Sequence, residues 1–559
     1  MSEANEGTEE GEPQEAVSVP EAKAPAKKKG KRSKAEKPVD PFGPSPTALP
    51  AMIAYPLAIL CGFLYFLAFP GVDLWPLSFV ALVPLIIALR GQSPRRALGL
   101  GWLAGFTMTM TGFYWLMEML KSFSGFPVPL CLLFMAILCG YQAGRIALCG
   151  WLYARAERRG WPPAPVFAAA FVVSELVFPL LFPWYYGATV HNAPVLMQTA
   201  DLGGPYLVGL VLCAVNLAIA ELFLHFFQRR EKRDLDRRLL LVGAGTLAFA
   251  LVYGALRVRD VDARAATAER VKVGIIQANQ SLFHRNNGLQ IHVERTKELK
   301  KQGVDLVVWS EGGSATVQRE SDHEIETQKR LLTKTLGVPT VAGTLLMKPA
   351  KPQNILFNTA LMLDAQGAVV GRYDKEYLLA FGEYIPFGDT FPILYQWSPN
   401  SSRFSQGTSF EPFPLGDHKI SALICYEDIL PGFVNRMVRH ADPDLLVNLT
   451  NDAWFGDSTE PLIHFALAKL RAVEHHRYLV RATNSGLSGI IDPLGRTILR
   501  GKTFTEESLI GEARYLRGTT GYEIVGDYAW YLLTLGMVWM AFRPRFQGGV
   551  KPAATVPAS

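Results

Sequence analysis

Three polar side chains, Glu311, Lys375 and Cys425, each stand directly after a short apolar run of β-like composition: Leu306 to Trp309, Ala368 to Tyr373 and Ile420 to Ile424. In open α/β sheets ligands collect outside the carboxyl ends of strands, so these are positions where chemistry gathers. A thiol, with an ordinary pKa of about 8.5, is mostly protonated at neutral pH and becomes a good nucleophile only when a base takes its proton. A carboxylate in a dry pocket can be that base. A nearby lysine favours the thiolate and can then stabilise the oxyanion of a tetrahedral intermediate. Glu, Lys and Cys are therefore a complete set for acyl transfer or amide-type chemistry. Each alone at a strand end is unremarkable, and a lone cysteine there is usually just small and half buried.

The elements that must position these groups begin near residue 271. Short β-like runs alternate with helical stretches: Val271 to Ile276, Asp305 to Trp309, Pro339 to Thr344, Asn358 to Leu363, Ile420 to Ile424, Asp444 to Leu449 and Ser488 to Ile491. Such a pattern predicts an α/β domain with buried strands. Asp364-Ala365-Gln366-Gly367 and Asp492-Pro493-Leu494-Gly495 are tight turns joining one strand-like run to another. Strand pairs and helices thus both occur, as in layered sheets flanked by helices.

The rest of the chain is of a different kind. At 559 residues and 49% hydrophobic, with a mean hydropathy of +0.14, it is too long for one typical domain and too apolar to be wholly water-soluble. Apolar stretches near residues 48–70, 73–90, 97–120, 126–154, 163–185, 205–228, 239–257 and 526–542 are each close to the length a helix needs to cross about 30 Å of hydrocarbon. The net charge of +6 is concentrated in blocks between them: the N-terminal tail, Arg90 to Arg96, Arg155 to Arg159, Arg229 to Arg238 and Arg543 to Arg545. Every second loop is positive, which reads as a cytoplasmic side and not as a nucleic-acid surface. The expected organisation is a disordered cytoplasmic tail at 1–46, a seven-helix transmembrane region at 47–257, a periplasmic catalytic domain at 258–520, a last transmembrane helix at 521–545 and a cytoplasmic tail at 546–559. This describes a multi-pass protein of a bacterial inner membrane with both termini inside. Five of the six cysteines (Cys61, Cys131, Cys139, Cys149 and Cys213) lie within apolar runs, which argues against a disulfide framework.

Trp309-Ser310-Glu311, Lys375-Glu376-Tyr377-Leu378 with Phe381-Gly382-Glu383-Tyr384-Ile385-Pro386, and Ile424-Cys425-Tyr426-Glu427 resemble the Glu, Lys and Cys motifs of the nitrilase superfamily over nearly all of residues 271 to 515. Eight membrane segments around that domain, with Asn451 to Gly456 and Thr483 to Gly486 downstream, make the chain similar to the superfamily's membrane-embedded branch, the apolipoprotein N-acyltransferases. The resemblance implies an αββα sandwich and a two-step reaction without cofactor or metal. An acyl chain would pass from a phospholipid to Cys425 as a thioester, then to the α-amino group of a diacylglyceryl-cysteine on an apolipoprotein. Glu311 would be the general base and Lys375 the oxyanion stabiliser, joined by the backbone N–H after Cys425. Glu383 would hold Lys375 and Glu311, Glu427 would order the loop around the nucleophile, and Asn358 and Tyr426 would support them. Phe381, Tyr384 and Trp454 would contact lipid or the mobile apolar loop that Leu378 to Phe413 suggests. One departure stands out. Where the family often carries a tryptophan after the first strand, this chain reads Gln277 to Arg285, with Phe283 or His284 near the missing indole.

An active site near the outer leaflet suits this chemistry, because moving an acyl chain from bilayer to water costs about 0.8 kcal/mol per methylene, on the order of 10 kcal/mol for a long chain. Charges inside the apolar runs, Glu118, Arg145, Glu175 and Glu221, read as pairs between helices, Arg145 with one of the acids. Gly105, Gly112 and Gly144 read as close-packing positions. His464, His475 and His476 lack zinc spacing, and His475-His476 read as part of a solvated helix. Two other functions share these features: a membrane-anchored amidase using the same residues for hydrolysis, and a transporter or receptor whose outer domain only binds ligand.

Overall fold

The computed structural model describes residue 45 and residues 48–227, 234–281, 288–314, 317–320, 336–351, 354–380, 382–397 and 401–545. The expected tails, apart from Ser45, and the loop positions Phe283 and His284 lie outside the described residues.

Four helices are long and apolar enough to cross a bilayer: Ala51–Ala68, Val128–Glu157, Ala200–Phe227 and Arg237–Thr267. Three shorter apolar helical stretches, Trp75–Leu89, Pro163–Val177 and Tyr528–Phe542, accompany them, together with the helix Pro94–Gly112. The run at 73–90 is therefore not one full-length helix. Pro76 and Pro84 each remove a backbone donor, and the chain forms a 3-10 turn at Trp75–Phe79 followed by a short helix, Val83–Leu89. The run at 163–185 also stops early, at Val177, and continues without helical structure. Large apolar side chains such as Leu241, Leu256, Leu532 and Leu535 face outward, the kind of surface that meets lipid.

Inside this region the helices Pro94–Gly112 and Gly144–Glu157 pack closely. A Cβ on Gly105 would lie 2.9 Å from the Ala143 backbone, so a small residue is required there. Gly112 has only ordinary contacts. Arg145 pairs with Glu175 at 2.9 Å with both side chains fully buried, while Glu118 pairs with Lys121 in an exposed position.

The second half folds as two facing sheets. In chain order the strands are β1 (Arg270–Gln277), β2 (Leu306–Trp309), β3 (Val317–Arg319), β4 (Thr340–Lys348), β5 (Ile355–Leu363), β6 (Val369–Asp374), β7 (Phe413–Leu415), β8 (His418–Ile424), β9 (Leu445–Thr450), β10 (Tyr478–Thr483), β11 (Gly489–Ile491), β12 (Thr497–Arg500) and β13 (Glu507–Arg514). One sheet runs β13-β1-β2-β4-β5-β6 with β3 beside β4, the other β12-β11-β10-β9-β8-β7. The central strands β1, β2 and β4 are parallel, as are β8, β9 and β10, and the outer ones pair antiparallel except β3, which runs parallel to β4. β9 and β10 are buried along their whole length, as central parallel strands covered on both faces must be. The helix Gly288–Lys301 covers the first sheet, and Pro431–Ala441 and Glu460–His475 cover the second. Glu460–His475 also packs on Ala200–Phe227, so the outer helix layer of the second sheet is the face that meets the apolar helices.

Candidate active site

The ends of β2, β6 and β8 carry Glu311, Lys375 and Cys425 to one cavity of about 220 Å³, which Asn358, Glu383 and Trp454 also line. Lys375 is 1% exposed. Its Nζ lies 2.8 Å from Glu383 Oε2 and 3.7 Å from Glu311 Oε1. Asn358 Nδ2 donates to both acids, at 2.7 Å to Glu311 and 2.9 Å to Glu383. Glu383 is fixed in turn by the backbone N–H of Leu379 at 2.8 Å. Burial pulls the Lys375 ammonium down, but the Glu383 and Glu311 carboxylates outweigh it and hold the group well above the ordinary lysine value. Lys375 is thus set between two carboxyl groups.

Cys425 opens a 3-10 turn, Cys425–Ile429, with φ of +53°. That backbone is unfavourable for a residue with a Cβ, and such strain persists only where the surroundings impose it. Here Glu427 imposes it. Its Oε2 accepts from Ile424 N at 2.8 Å, and its Oε1 accepts from Tyr373 Oη, Glu376 N and Tyr377 N at 2.8 to 2.9 Å. One carboxylate therefore ties the end of β8 to the segment that carries Lys375. Burial pushes the Glu427 carboxyl up to about 7, against the pull of these donors. Asn448 Nδ2 holds the Cys425 carbonyl at 3.0 Å. Burial raises the Cys425 thiol well above its ordinary value, Glu311 raises it further, and Lys375 opposes them. A thiol raised in this way needs a base at hand to become a nucleophile.

Trp454 lines the cavity. Phe381 lies outside the described residues. Tyr384 is half-buried, pairs by an isolated bridge with Ala380 and does not line the cavity. Sequence reasoning missed Met119, which reaches the same cavity from the helix Leu116–Ser124, and Phe455, which stands 5.1 Å edge-on to Trp115. Met119 has no sequence signal, because the cavity joins it to segments far away in the chain, whereas Phe455 lies within the run Asn451 to Gly456 without being marked as a site residue.

Beside Cys425 lies a buried charged cluster. His464 faces Asp428 at 2.8 Å through Nε2 and Asp452 at 3.1 Å through Nδ1, Arg481 also pairs with Asp428, and Glu460 lies 3.9 Å from the imidazole. The ligand atoms of Asp452, Glu460 and His464 lie within 4.8 Å of one another. Both imidazole nitrogens, however, already face carboxylates, which suits an imidazolium better than a metal ligand. Burial and Arg481 lower the His464 pKa, but Asp428 and Asp452 prevail and lift it to about 10. Burial and Asp452 push the Glu460 carboxyl well up. A histidine raised from 6.5 to about 10 on folding contributes stability in full below pH 6.5 and loses it as pH rises toward 10. His464→Gln is therefore expected to unfold more easily than the parent at pH 6.5, by roughly a few kcal/mol, with the gap closing toward pH 10. Thermal unfolding in detergent at the two pH values checks this.

His475 and His476 are corrected by the structure. Both are buried, not solvated. His475 faces Glu523 at 3.2 Å and His476 faces Asp201 at 3.1 Å, so the polar face of their helix is matched by charges from segments bordering the apolar region.

A cysteine on a strained strand-to-turn junction, with a carboxylate and a lysine at neighbouring strand ends of two facing sheets, is the arrangement of a carbon-nitrogen hydrolase, and the family model described as carbon-nitrogen hydrolase matches residues 272–515. A second family model, the apolipoprotein N-acyltransferase N-terminal domain, matches residues 61–218. The chain is 30% identical over 490 residues to the apolipoprotein N-acyltransferase of Geobacter metallireducens, covering 85% of this chain and 92% of that protein. It is also 30% identical over 510 residues to the one of Azotobacter vinelandii, covering 88% and 95%. A solved structure of Saccharomyces cerevisiae Nit3, a member of branch 10 of the nitrilase superfamily, aligns with 44% of this chain and 90% of its own at 17% identity and a TM-score of 0.35. The chain belongs to the apolipoprotein N-acyltransferase family.

Proposed function

We propose that this protein moves a fatty acyl chain from a phospholipid to the α-amino group of the diacylglyceryl-cysteine that begins an apolipoprotein. The observation that carries the reading is the origin of the cavity walls. Cys425, Lys375 and Glu311 come from the sheets, whereas Met119 comes from the apolar half. A second, smaller apolar cavity joins Cys425 to Phe113, Trp115 and Phe182 of that half. A thiol placed between a water-exposed fold and an apolar one suits an ester whose carbonyl must react while its tail stays out of water, given the cost of about 0.8 kcal/mol per methylene exposed.

In the first half-reaction Glu311 takes the Cys425 proton. The thiolate attacks the ester carbonyl, and Lys375 with the backbone N–H of Tyr426 stabilises the oxyanion. The C–O bond breaks, Glu311 returns the proton to the departing lysophospholipid hydroxyl, and a thioester remains. In the second, the lipoprotein amine attacks that thioester, Glu311 accepts the amine proton, the C–S bond breaks as an amide forms, and Glu311 passes the proton to the departing sulfur to restore the Cys425 thiol. Glu383 and Asn358 hold the base and the cation, Glu427 holds the turn, and Tyr426 and Trp454 border the site.

The membrane arrangement we infer has eight crossings: the four long helices, the three shorter apolar stretches and Pro94–Gly112, with residues 258–520 periplasmic and both termini cytoplasmic. Alternation of the basic blocks supports it. Incubation with acyl-labelled phospholipid and a peptide bearing diacylglyceryl-cysteine tests the function. Label is expected on Cys425 in the absence of peptide and on the peptide amine in its presence. Label found only as free fatty acid would instead establish the amidase-like hydrolysis.

A further inference from the structure

The residue after the nucleophile is held from the membrane side. Tyr426 donates its hydroxyl to the carbonyl of Leu181, and its ring meets Phe182 edge-on at 6.4 Å. Leu181 and Phe182 belong to residues 178–185, the non-helical stretch that follows Pro163–Val177. Irregular backbone within an apolar domain has peptide groups without helical partners, and something else must satisfy them. Gln142, 1% exposed at the end of its helix, satisfies two. Its Oε1 accepts from Leu181 N at 2.9 Å and its Nε2 donates to Phe182 O at 2.9 Å.

One turn further on, Arg145 Nη1 donates to Trp184 O at 3.0 Å, and the guanidinium lies 3.8 Å from the centre of the Trp184 ring. Its partner Glu175 accepts from Tyr186 N at 2.8 Å. A fully buried ion pair is a weak source of stability, since well-packed apolar residues often replace one without loss. Here Arg145, which also reaches the Tyr65 hydroxyl at 3.5 Å, holds the backbone of the stretch at Trp184, and Glu175 holds the backbone just beyond it at Tyr186. That stretch is therefore fixed by Gln142 and Arg145, with Glu175 holding the residue that follows it, and its carbonyl at Leu181 meets the residue beside Cys425.

We propose that Gln142, braced by the Arg145–Glu175 pair, is a positioning residue for the nucleophile: through Leu181 and Phe182 it sets where Tyr426, and with it the Cys425 turn and the oxyanion-binding N–H, stands against the lipid-facing half. The inference rests on Cys425 being the acylated nucleophile. It makes the membrane region part of the catalytic geometry as well as an anchor for it.

The test is a double-mutant cycle read as single-turnover acylation of Cys425 from phospholipid, followed by intact-protein mass spectrometry. Gln142→Met keeps the length of the side chain and removes both of its hydrogen bonds to the stretch, and Tyr426→Phe removes only the hydroxyl. Each is expected to slow acylation about tenfold per folded molecule, within the range that small misplacements produce, with the phospholipid concentration at half-maximal rate unchanged. The double variant is expected to be no slower than either single one, because both break the same link. Unchanged acylation in Gln142→Met, or a double variant slowed by the product of the two effects, overturns the inference. Tyr426→Phe, which alters no group inside the apolar half, gives the same reading should Gln142→Met fold poorly. A parent protein that shows no acyl adduct at all would overturn the proposed function instead.

Discussion

Cys425→Ala is expected to yield a folded protein that neither accepts an acyl group nor transfers one, a loss of at least about 10⁴-fold, as for other enzymes deprived of a covalent nucleophile. The argument for folding is local. Alanine differs from cysteine by one sulfur and adopts the +53° backbone at the same steric cost, so no new strain enters. The four bonds that Glu427 makes around the turn involve backbone groups of Ile424, Glu376 and Tyr377 and the Tyr373 hydroxyl, none of which is changed. The stability difference should therefore stay near about 1 kcal/mol, the centre of the range for point substitutions. Transfer to a labelled acceptor peptide, measured beside a thermal unfolding curve, separates lost chemistry from lost fold. A transporter or receptor with an ornamental cysteine would keep its function in this variant.

That Glu311, Lys375 and Cys425 meet at one cavity was legible because each stands one or two residues after a locally coded strand, β2, β6 or β8. Both tight turns were legible for the same local reason, with Gly367 and Gly495 supplying positive φ. What the sequence hid was set by contacts between distant segments. Met119 reaches the site from a helix and Phe182 from the non-helical stretch after Pro163–Val177, and the apolar sequence of both would look the same facing lipid. His475 and His476 looked solvated because a polar helix face reads alike whether water or another element's charges meet it, and here Glu523 and Asp201 meet it. Hydropathy likewise reported apolar runs at 73–90 and 163–185 but not where helices end within them, which prolines and non-helical backbone decide. The apolar half also looked like an anchor alone, since nothing in a one-dimensional pattern says that Gln142 and Arg145 spend their hydrogen bonds on the stretch beside Tyr426.

Glu311→Gln and Lys375→Met should both silence the enzyme while moving the nucleophile in opposite directions. Glu311 raises the Cys425 thiol and Lys375 lowers it, so removing the carboxylate makes the thiolate easier to form and removing the ammonium makes it harder. At a fixed pH near 8, alkylation of Cys425 by iodoacetamide is expected to quicken in Glu311→Gln and to slow in Lys375→Met. Acyl transfer is nevertheless expected to fall by about 10²–10⁴-fold in Glu311→Gln, the range that general-base removal covers. It should fall by about 10²–10³-fold in Lys375→Met, the range for losing an oxyanion donor. A more reactive thiol in a less active enzyme has one physical reading: the carboxylate's contribution is to carry the proton, and its effect on the resting charge works against it. Lys375→Met also leaves Glu383 and Glu311 without their buried counter-ion, a change that costs about 3–5 kcal/mol when one partner of a buried pair is removed. Its alkylation rate is therefore to be compared at a temperature where the variant remains folded. Slower alkylation in Glu311→Gln would mean that this carboxylate activates the thiol even in the resting enzyme, and the division of labour between the two strand ends would have to be redrawn.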